Sequence, residues 1–179
     1  PPPPSASPVP VATLTLSSSI TFKFDGGVTA EQRDAAQKGI TLAQRYFGDA
    51  GPILVSAYAN LDALIDESSR YYKRAADSEA SKNIKQHLQS GAWIAYAEGD
   101  ALWLWISKFK MWQPAYIQYA WQLVAHEYFH VMQNYTTKKI GNDQAPLWLR
   151  EASAEYASYA AVANAGLIDL KRLTKAKIE

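Results

Sequence analysis

Cysteine is absent from this 179-residue chain, which excludes a disulfide framework and a metal site built from thiolates. An excess of charge is absent as well. The formal net charge of +1 gives no electrostatic reason to expect binding to nucleic acid or to a membrane surface. Long apolar runs are also missing: the longest, near residues 101–106, is far below the roughly 20 residues that a membrane-spanning helix needs.

Apolar and aromatic residues, by contrast, are plentiful. They make up 48% and 12% of the chain, a composition typical of a folded globular protein. The length suits one domain rather than two, so we expect a single domain at residues 13–179. Residues 1–12 are rich in proline and predict an extended linker or tail. Because such linkers often follow a signal peptide or an anchor, we expect an extracytoplasmic protein, secreted or held at the cell surface by an anchor upstream of residue 1.

Hydrophobic periodicity and turn residues predict a mixture of strands and helices that ends in two long helices. The predicted strands are 14–24, 53–59 and a hairpin of 92–97 and 101–107; the predicted helices are 29–47 (beginning at an N-cap, Thr29), 60–74, 114–135, 146–165 (ending at Gly166) and a short closing helix at 168–177. Residues 77–91 are polar and give no clear assignment. This order of elements indicates an α+β domain.

A short histidine motif lies in the predicted helix 114–135. The segment H-E-Y-F-H at residues 126–130 holds two of the three histidines in the chain. Residues four apart lie on one face of a helix, so His126 and His130 can bind the same small cation. Glu127 lies beside them, where it could accept a proton from a water bound to that cation. The H-E-x-x-H pattern also arises by chance, so it needs support from the rest of the chain.

Support comes from the next predicted helix, 146–165. Glu151 on that helix can supply an oxygen ligand, and two histidines plus one carboxylate, with a fourth position left to water, is the ligand set of a catalytic zinc site. The alternative for Glu151 is an ion pair with Arg150 or a lysine. Glu155 lies one turn further along the same face and can accept the outer N–H of a metal-bound histidine, although a glutamate on a solvated helix face needs no such role.

The two segments together resemble a known family. H-E-Y-F-H-V-M-Q at 126–133, followed by W-L-R-E-A-S-A-E-Y at 148–156, is similar to the gluzincin branch of the zinc metallopeptidases. The likeness is greatest to its small peptidase MA-like members, and the same two signatures occur in the M1 aminopeptidases. The resemblance covers roughly residues 121–159. Ala152 stands where the family usually has glycine, and the G-x-M-E-N segment that captures a substrate amino terminus is absent, so an aminopeptidase is not indicated.

The resemblance implies a zincin-like fold, in which a mixed sheet packs over the metal-bearing helix and its edge strand pairs with a peptide substrate. We expect the strand at 101–107 to be that edge, because it directly precedes the helix. Its two tryptophans, Trp103 and Trp105, should lie on the sheet face opposite to Leu102, Leu104 and Ile106. Trp121 and Trp148 are expected to pack in the core.

The expected function is hydrolysis of peptide bonds in a peptide or protein substrate, with Zn²⁺ held by His126, His130 and Glu151 and with Glu127 as general base. Cobalt, nickel or manganese would also suit these ligands. Candidates for stabilising the oxyanion are Tyr156, Tyr159, Tyr135 and, less favoured, His87, and the sequence does not choose among them. The alternative function is a non-catalytic extracytoplasmic binding or scaffold module that retains the fold and the metal site.

Overall fold

A computed structural model of the protein describes residues 19–106, 110–140 and 145–168, without the side chains of 138–140. In chain order, the described elements are β1 (Ile20–Phe24), α1 (Ala30–Phe47), β2 (Ile53–Tyr58), α2 (Leu61–Tyr71), α3 (Glu79–Ser90), β3 (Ala95–Glu98), β4 (Ala101–Trp105), two 3-10 turns (Lys110–Trp112 and Pro114–Tyr116), α4 (Ile117–Ile140) and α5 (Leu147–Asn164). The fold class is α+β, as predicted. The linker at 1–12, the first strand residues 14–18 and the closing helix beyond 168 lie outside the described residues.

The four strands form one mixed sheet in the order β1-β2-β4-β3. The pairs β1-β2 and β2-β4 are parallel, and β3 runs antiparallel to β4. The edge prediction is therefore wrong: β4 pairs with strands on both sides, and the edge strands are β1 and β3, of which β3 lies beside β4. The tight turn at Gly99, where φ is 58°, makes β3 and β4 antiparallel neighbours, and β3 lies outside because β2 pairs with β4.

Helices cover both faces of the sheet, so that a hydrophobic core lies on each face. The side chains of β4 alternate between the two faces, as predicted. Leu102, Leu104 and Ile106 pack with α1 and α4 in an aliphatic core. Trp103 and Trp105 face the other side and pack with α2 and α3. Both tryptophans of β4 therefore lie on the sheet face away from α4, and the β4 side chains that face α4 are aliphatic.

The helix at 79–90 was not assigned from the sequence. α3 begins at the N-cap Ser78, whose hydroxyl accepts from Ser81 N–H, and Gly91 ends it at φ 78°. Its buried face consists of Ser81, Ile84 and Leu88, so only two apolar side chains mark the helical period. The hydroxyls of Ser81 and Ser69 lie 2.8 Å apart and satisfy each other in the interface with α2.

α4 lies between α1 and α5. It approaches α1 closely at Gly39, where a Cβ would lie 2.7 Å from the Val124 Cβ. α5 runs back antiparallel to α4 and packs mainly on it. The helix bounds agree with the predicted 114–135 and 146–165, apart from the 3-10 turn that precedes α4 and a longer α4 carboxyl end. No helix among residues 19–106, 110–140 and 145–168 has the length and apolar character that crossing a bilayer requires.

Candidate metal centre

The buried side chains of α4 position its histidine pair. Val124, Tyr128 and Val131 are almost wholly enclosed in the aliphatic core. The Tyr128 hydroxyl also accepts from Ala50 N–H at 2.9 Å and donates to the Gly48 carbonyl at 2.7 Å. These contacts fix the rotation of α4 about its axis, so that the next face of the helix, which carries the two histidines, points towards α5.

Three ligand atoms from two helices converge at this face. The His126 Nε2 and His130 Nε2 atoms lie 3.0 Å apart, and each lies 3.4 Å from the Glu151 Oε2 atom. Among the described residues these three side chains form a group that could hold a metal ion. Ligand atoms bound to a tetrahedral zinc ion at 2.0–2.1 Å are about 3.3 Å from one another. The donor types and their separations therefore fit Zn²⁺.

Glu155 lies behind His126. Its Oε2 atom is 3.5 Å from the His126 Nδ1 atom, on the side of the ring away from the three ligand atoms. The Gln122 amide donates to Glu155 Oε2 at 3.2 Å and to the Ser158 hydroxyl at 2.8 Å, so the carboxylate is held from α4 as well as α5. Glu155 therefore lies beside the outer nitrogen of His126, and its role in orienting a metal-bound histidine stays a prediction.

Gln133 occupies the corresponding position behind His130. Its Oε1 atom lies 2.8 Å from the His130 Nδ1 atom. Its amide nitrogen donates to α5, at 3.2 Å to the Arg150 carbonyl and at 2.9 Å to the Ser153 hydroxyl. Each histidine therefore has its own partner, a carboxylate for His126 and a neutral amide for His130.

The pKa values of the two imidazoles are shifted in opposite directions in the metal-free protein. Burial disfavours the charged form of His126, but the hydrogen bond of Glu155 and the charges of nearby carboxylates outweigh it and raise the His126 pKa. Burial lowers the pKa of His130 and the positive charge of His126 lowers it further, which outweighs the rise from the hydrogen bond that Gln133 Oε1 accepts. The two shifts run in opposite directions, so His126 is the first of the two rings to take up a proton as the pH falls.

Glu127 is enclosed beside the ligand cluster, with only 6% of its surface exposed. Burial raises the pKa of Glu127 to about 7; Glu151 adds to this rise, whereas His126 and a backbone hydrogen bond from Ala97 oppose it. Ala97 belongs to β3, so the carboxyl group lies between the histidine helix and the edge strand. A group in this environment can both accept and release a proton near neutral pH.

The cluster opens into a cleft of about 820 Å³. Its walls are α3 and the following loop on one side, β3 along the top, and α4 and α5 below. The lining side chains around the cluster are Arg74, Ala80, Asn83, Ile84, Ala92, Trp93, Ile94, Ala95, Tyr96, Ala97, Glu98, Met111, Gln122, Leu123, Leu147, Arg150 and Glu155, together with the cluster residues and Glu127. Residues 77–91, which have no clear assignment from the sequence, therefore form α3 and contribute to one wall of the candidate site.

The oxyanion candidates are not brought to this cleft. Tyr156 and Tyr135 are exposed, at 72% and 54%. Tyr159 is half-buried on α5, and neither it nor His87 is among the described residues that line the cleft. His87 is half-buried, and its ring stacks on Trp93 at 4.4 Å between centroids. Their catalytic roles stay predictions.

The two tryptophans expected in the core differ. Trp121 packs against the aliphatic core and carries Lys38 over its ring, at 4.1 Å from the centroid. Trp148 is 70% exposed, so its core assignment is wrong. It lies in the first turn of α5, where most of its side chain faces solvent.

Sequence reasoning missed Gln122 and Gln133. Each lies three or four residues from a ligand histidine, at the spacing where helical side chains meet, so the spacing itself was an available signal. Glutamine is common on helix surfaces, however, and only the position of α5 shows that both amides face the site. Comparisons of the chain with protein-family models, curated proteins and solved structures found no match. The candidate centre therefore depends on its own geometry.

Proposed function

We propose that this protein is a zinc-dependent peptidase of the gluzincin type with a zincin-like fold. The observation that carries the proposal is the convergence of His126, His130 and Glu151 beside a buried Glu127 within one open cleft. A structural zinc site is normally closed by four protein ligands, whereas this group offers three. All three side chains line the cleft, so water and a substrate carbonyl would have access to an ion that they held.

The ligand residues would be His126, His130 and Glu151. Zn²⁺, when bound, polarises a water molecule and the scissile carbonyl and so supplies Lewis-acid chemistry that the protein side chains lack. The role of the chain itself is to hold the ion, the base and the substrate together. Glu155 and Gln133 orient the two imidazoles, and neither group needs to contact the substrate.

Glu127 is the proton carrier in this scheme. Its carboxylate accepts a proton from the attacking water as the new C–O bond forms at the scissile carbonyl carbon. The same proton is then delivered to the amide nitrogen, so that the C–N bond breaks and a neutral amine leaves beside a carboxylic acid. The enclosure of Glu127 excludes bulk water, which keeps this proton from exchanging with solvent between the two steps.

The substitution Glu127→Gln tests the function directly. It keeps the size of the side chain but removes the base, and we expect hydrolysis of a broad peptide library to fall by at least about 10²-fold. Zinc content, measured by elemental analysis on the same samples, should remain near one ion per chain because the three ligands are intact.

The matched control is Glu79→Gln, an amide substitution of a carboxylate in the first turn of α3 that does not line the cleft. It should leave cleavage unchanged. If the wild-type protein binds zinc but leaves every peptide intact, the site belongs to a binding or scaffold module. If Glu127→Gln cleaves as fast as wild type, the proposed mechanism is wrong.

A further inference from the structure

Gln133 joins the two helices that carry the candidate ligands. It lies on α4, one turn after His130, and its side chain spans the gap to α5. The three contacts are His130 Nδ1 at 2.8 Å, the Arg150 carbonyl at 3.2 Å and the Ser153 hydroxyl at 2.9 Å. All three lie within ordinary hydrogen-bond distance.

The chemistry of these partners fixes the orientation of the amide. A backbone carbonyl can only accept a hydrogen bond, so the nitrogen end of Gln133 must face Arg150. The Ser153 hydroxyl donates its own proton to backbone carbonyls, at 2.7 Å to Leu149, and is therefore also an acceptor towards Gln133. The oxygen end of the amide is left facing His130, and an amide oxygen can only accept.

The orientation of the amide in turn selects the form of the imidazole. An accepting Gln133 oxygen requires a proton on His130 Nδ1. In the neutral ring the other nitrogen, Nε2, then has a free lone pair. That atom is the one that lies 3.0 Å from His126 Nε2 and 3.4 Å from Glu151 Oε2. A fixed Arg150 carbonyl thus determines which nitrogen of His130 can bind an ion.

We propose that Gln133 is a positioning residue, which holds His130 in the Nδ1–H tautomer and couples this ligand to the turn of α5 that presents Glu151. The inference rests on the proposed metal site, although the tautomer is a property of the metal-free protein. Partners of this kind typically contribute 10–100-fold to metal affinity. Gln133 differs from Glu155 because it is neutral, so it orients its histidine without placing a negative charge beside the ring.

Gln133→Met tests the proposal, since methionine has the same length and lacks both polar atoms. The first measurement is the tautomer of His130 in the metal-free protein, from the nitrogen shifts of the ring with the imidazole neutral. We expect Nδ1–H in the wild type and a shift towards Nε2–H in the variant. The second is Zn²⁺ affinity by competition with a chelator, which should fall by about 10–100-fold.

Two control variants distinguish loss of the contact between Gln133 and His130 from a general loss of structure. Ser153→Ala removes one acceptor and keeps the Arg150 carbonyl, so it should retain the Nδ1–H tautomer and lose less than about threefold in zinc affinity. Gln118→Met makes the same change about one turn before Gln122, on a residue that does not line the cleft, and should change neither measurement.

These measurements distinguish failure of the Gln133 inference from failure of the proposed peptidase function. Wild-type His130 found as Nε2–H overturns the inference, even if Gln133→Met does not fold. Zinc affinity within twofold of wild type in a folded Gln133→Met also overturns it. A wild-type protein that cleaves no peptide, yet shows the expected tautomer and the expected loss of zinc, would refute the peptidase and leave the role of Gln133 intact.

Discussion

The two helices that supply the candidate ligands are held in the protein in different ways. α4 is enclosed by α1, the sheet and α5, and its Val124 and Tyr128 side chains are fully buried. α5 packs mainly on α4 and leaves Trp148 and Tyr156 about 70% and 72% exposed. The histidines therefore lie on a helix anchored by the core, whereas Glu151 lies on a helix that has one well-packed side.

Polar contacts compensate for this difference along the α4–α5 interface. Gln122 binds Glu155, Gln133 binds the Arg150 carbonyl, and the Arg150 guanidinium donates to the Asn134 oxygen at 2.9 Å. Each contact has a fixed donor and acceptor, so together they specify the position of α5 more narrowly than apolar packing would. Hydrophobic burial therefore fixes the histidine pair, and hydrogen bonds hold α5 so that Glu151 lies beside it.

The largest loss of stability is expected from substitutions that weaken the packing of α4 against the core. Tyr128→Ala removes a buried ring that stacks on Phe47 and should reduce the free energy of unfolding by about 3–5 kcal/mol. Tyr128→Phe keeps the ring but leaves Ala50 N–H and the Gly48 carbonyl without their partner, at a cost of about 1–3 kcal/mol. Denaturant unfolding measures both. A Phe variant as stable as wild type would show that the hydroxyl does not anchor the helix.

A smaller effect is expected where α1 meets α4. A Cβ at Gly39 would lie 2.7 Å from Val124 Cβ and 3.3 Å from the Trp121 Cα, so Gly39→Ala must push the helices apart. Overpacking of this kind costs about 1–3 kcal/mol, while alanine returns about 1 kcal/mol of helix propensity. The net loss in denaturant unfolding should be about 1 kcal/mol.

Gly26→Ala is the matched control for that substitution. Nothing lies within 4 Å of the added Cβ, and the residue does not adopt a left-handed φ. Its stability should equal or slightly exceed that of wild type, because alanine restricts the unfolded chain more than glycine does. A Gly39→Ala variant that behaves like Gly26→Ala would mean that α1 does not constrain α4 at this point.

The anchored part of the molecule was the more predictable from sequence. The 18-residue helix α1, with the Thr29 capping box, and the alternation of tryptophan and aliphatic residues in β4 follow from local patterns that buried packing then reinforces. The histidine pair was predictable for the same reason, since helical spacing alone places both rings on one face. The convergence of Glu151 with them agrees with the sequence-based expectation.

The remaining features depend on tertiary pairing that no local pattern encodes. β3 rather than β4 lies at this edge of the sheet because β2 pairs with β4, the second strand of the hairpin. α3 was missed because one of its three buried residues is Ser81, which bonds to Ser69 of α2, so that only two apolar side chains mark the helical period. Trp148 was misassigned because an aromatic residue in a helix usually finds a core, and burial depends on what packs against that helix.

The smallest effect is expected on the outer face of α5. Trp148→Ala and Tyr156→Ala remove large side chains that are already mostly in solvent, so each should change the free energy of unfolding by less than about 0.5 kcal/mol. Thermal and denaturant unfolding of both variants measure this, with Val162→Ala on the buried face of α5 as the contrasting control, expected to cost more than about 1 kcal/mol. If Trp148→Ala proves as costly as Val162→Ala, then the outer face is packed in solution, and α5 is anchored on two sides as α4 is.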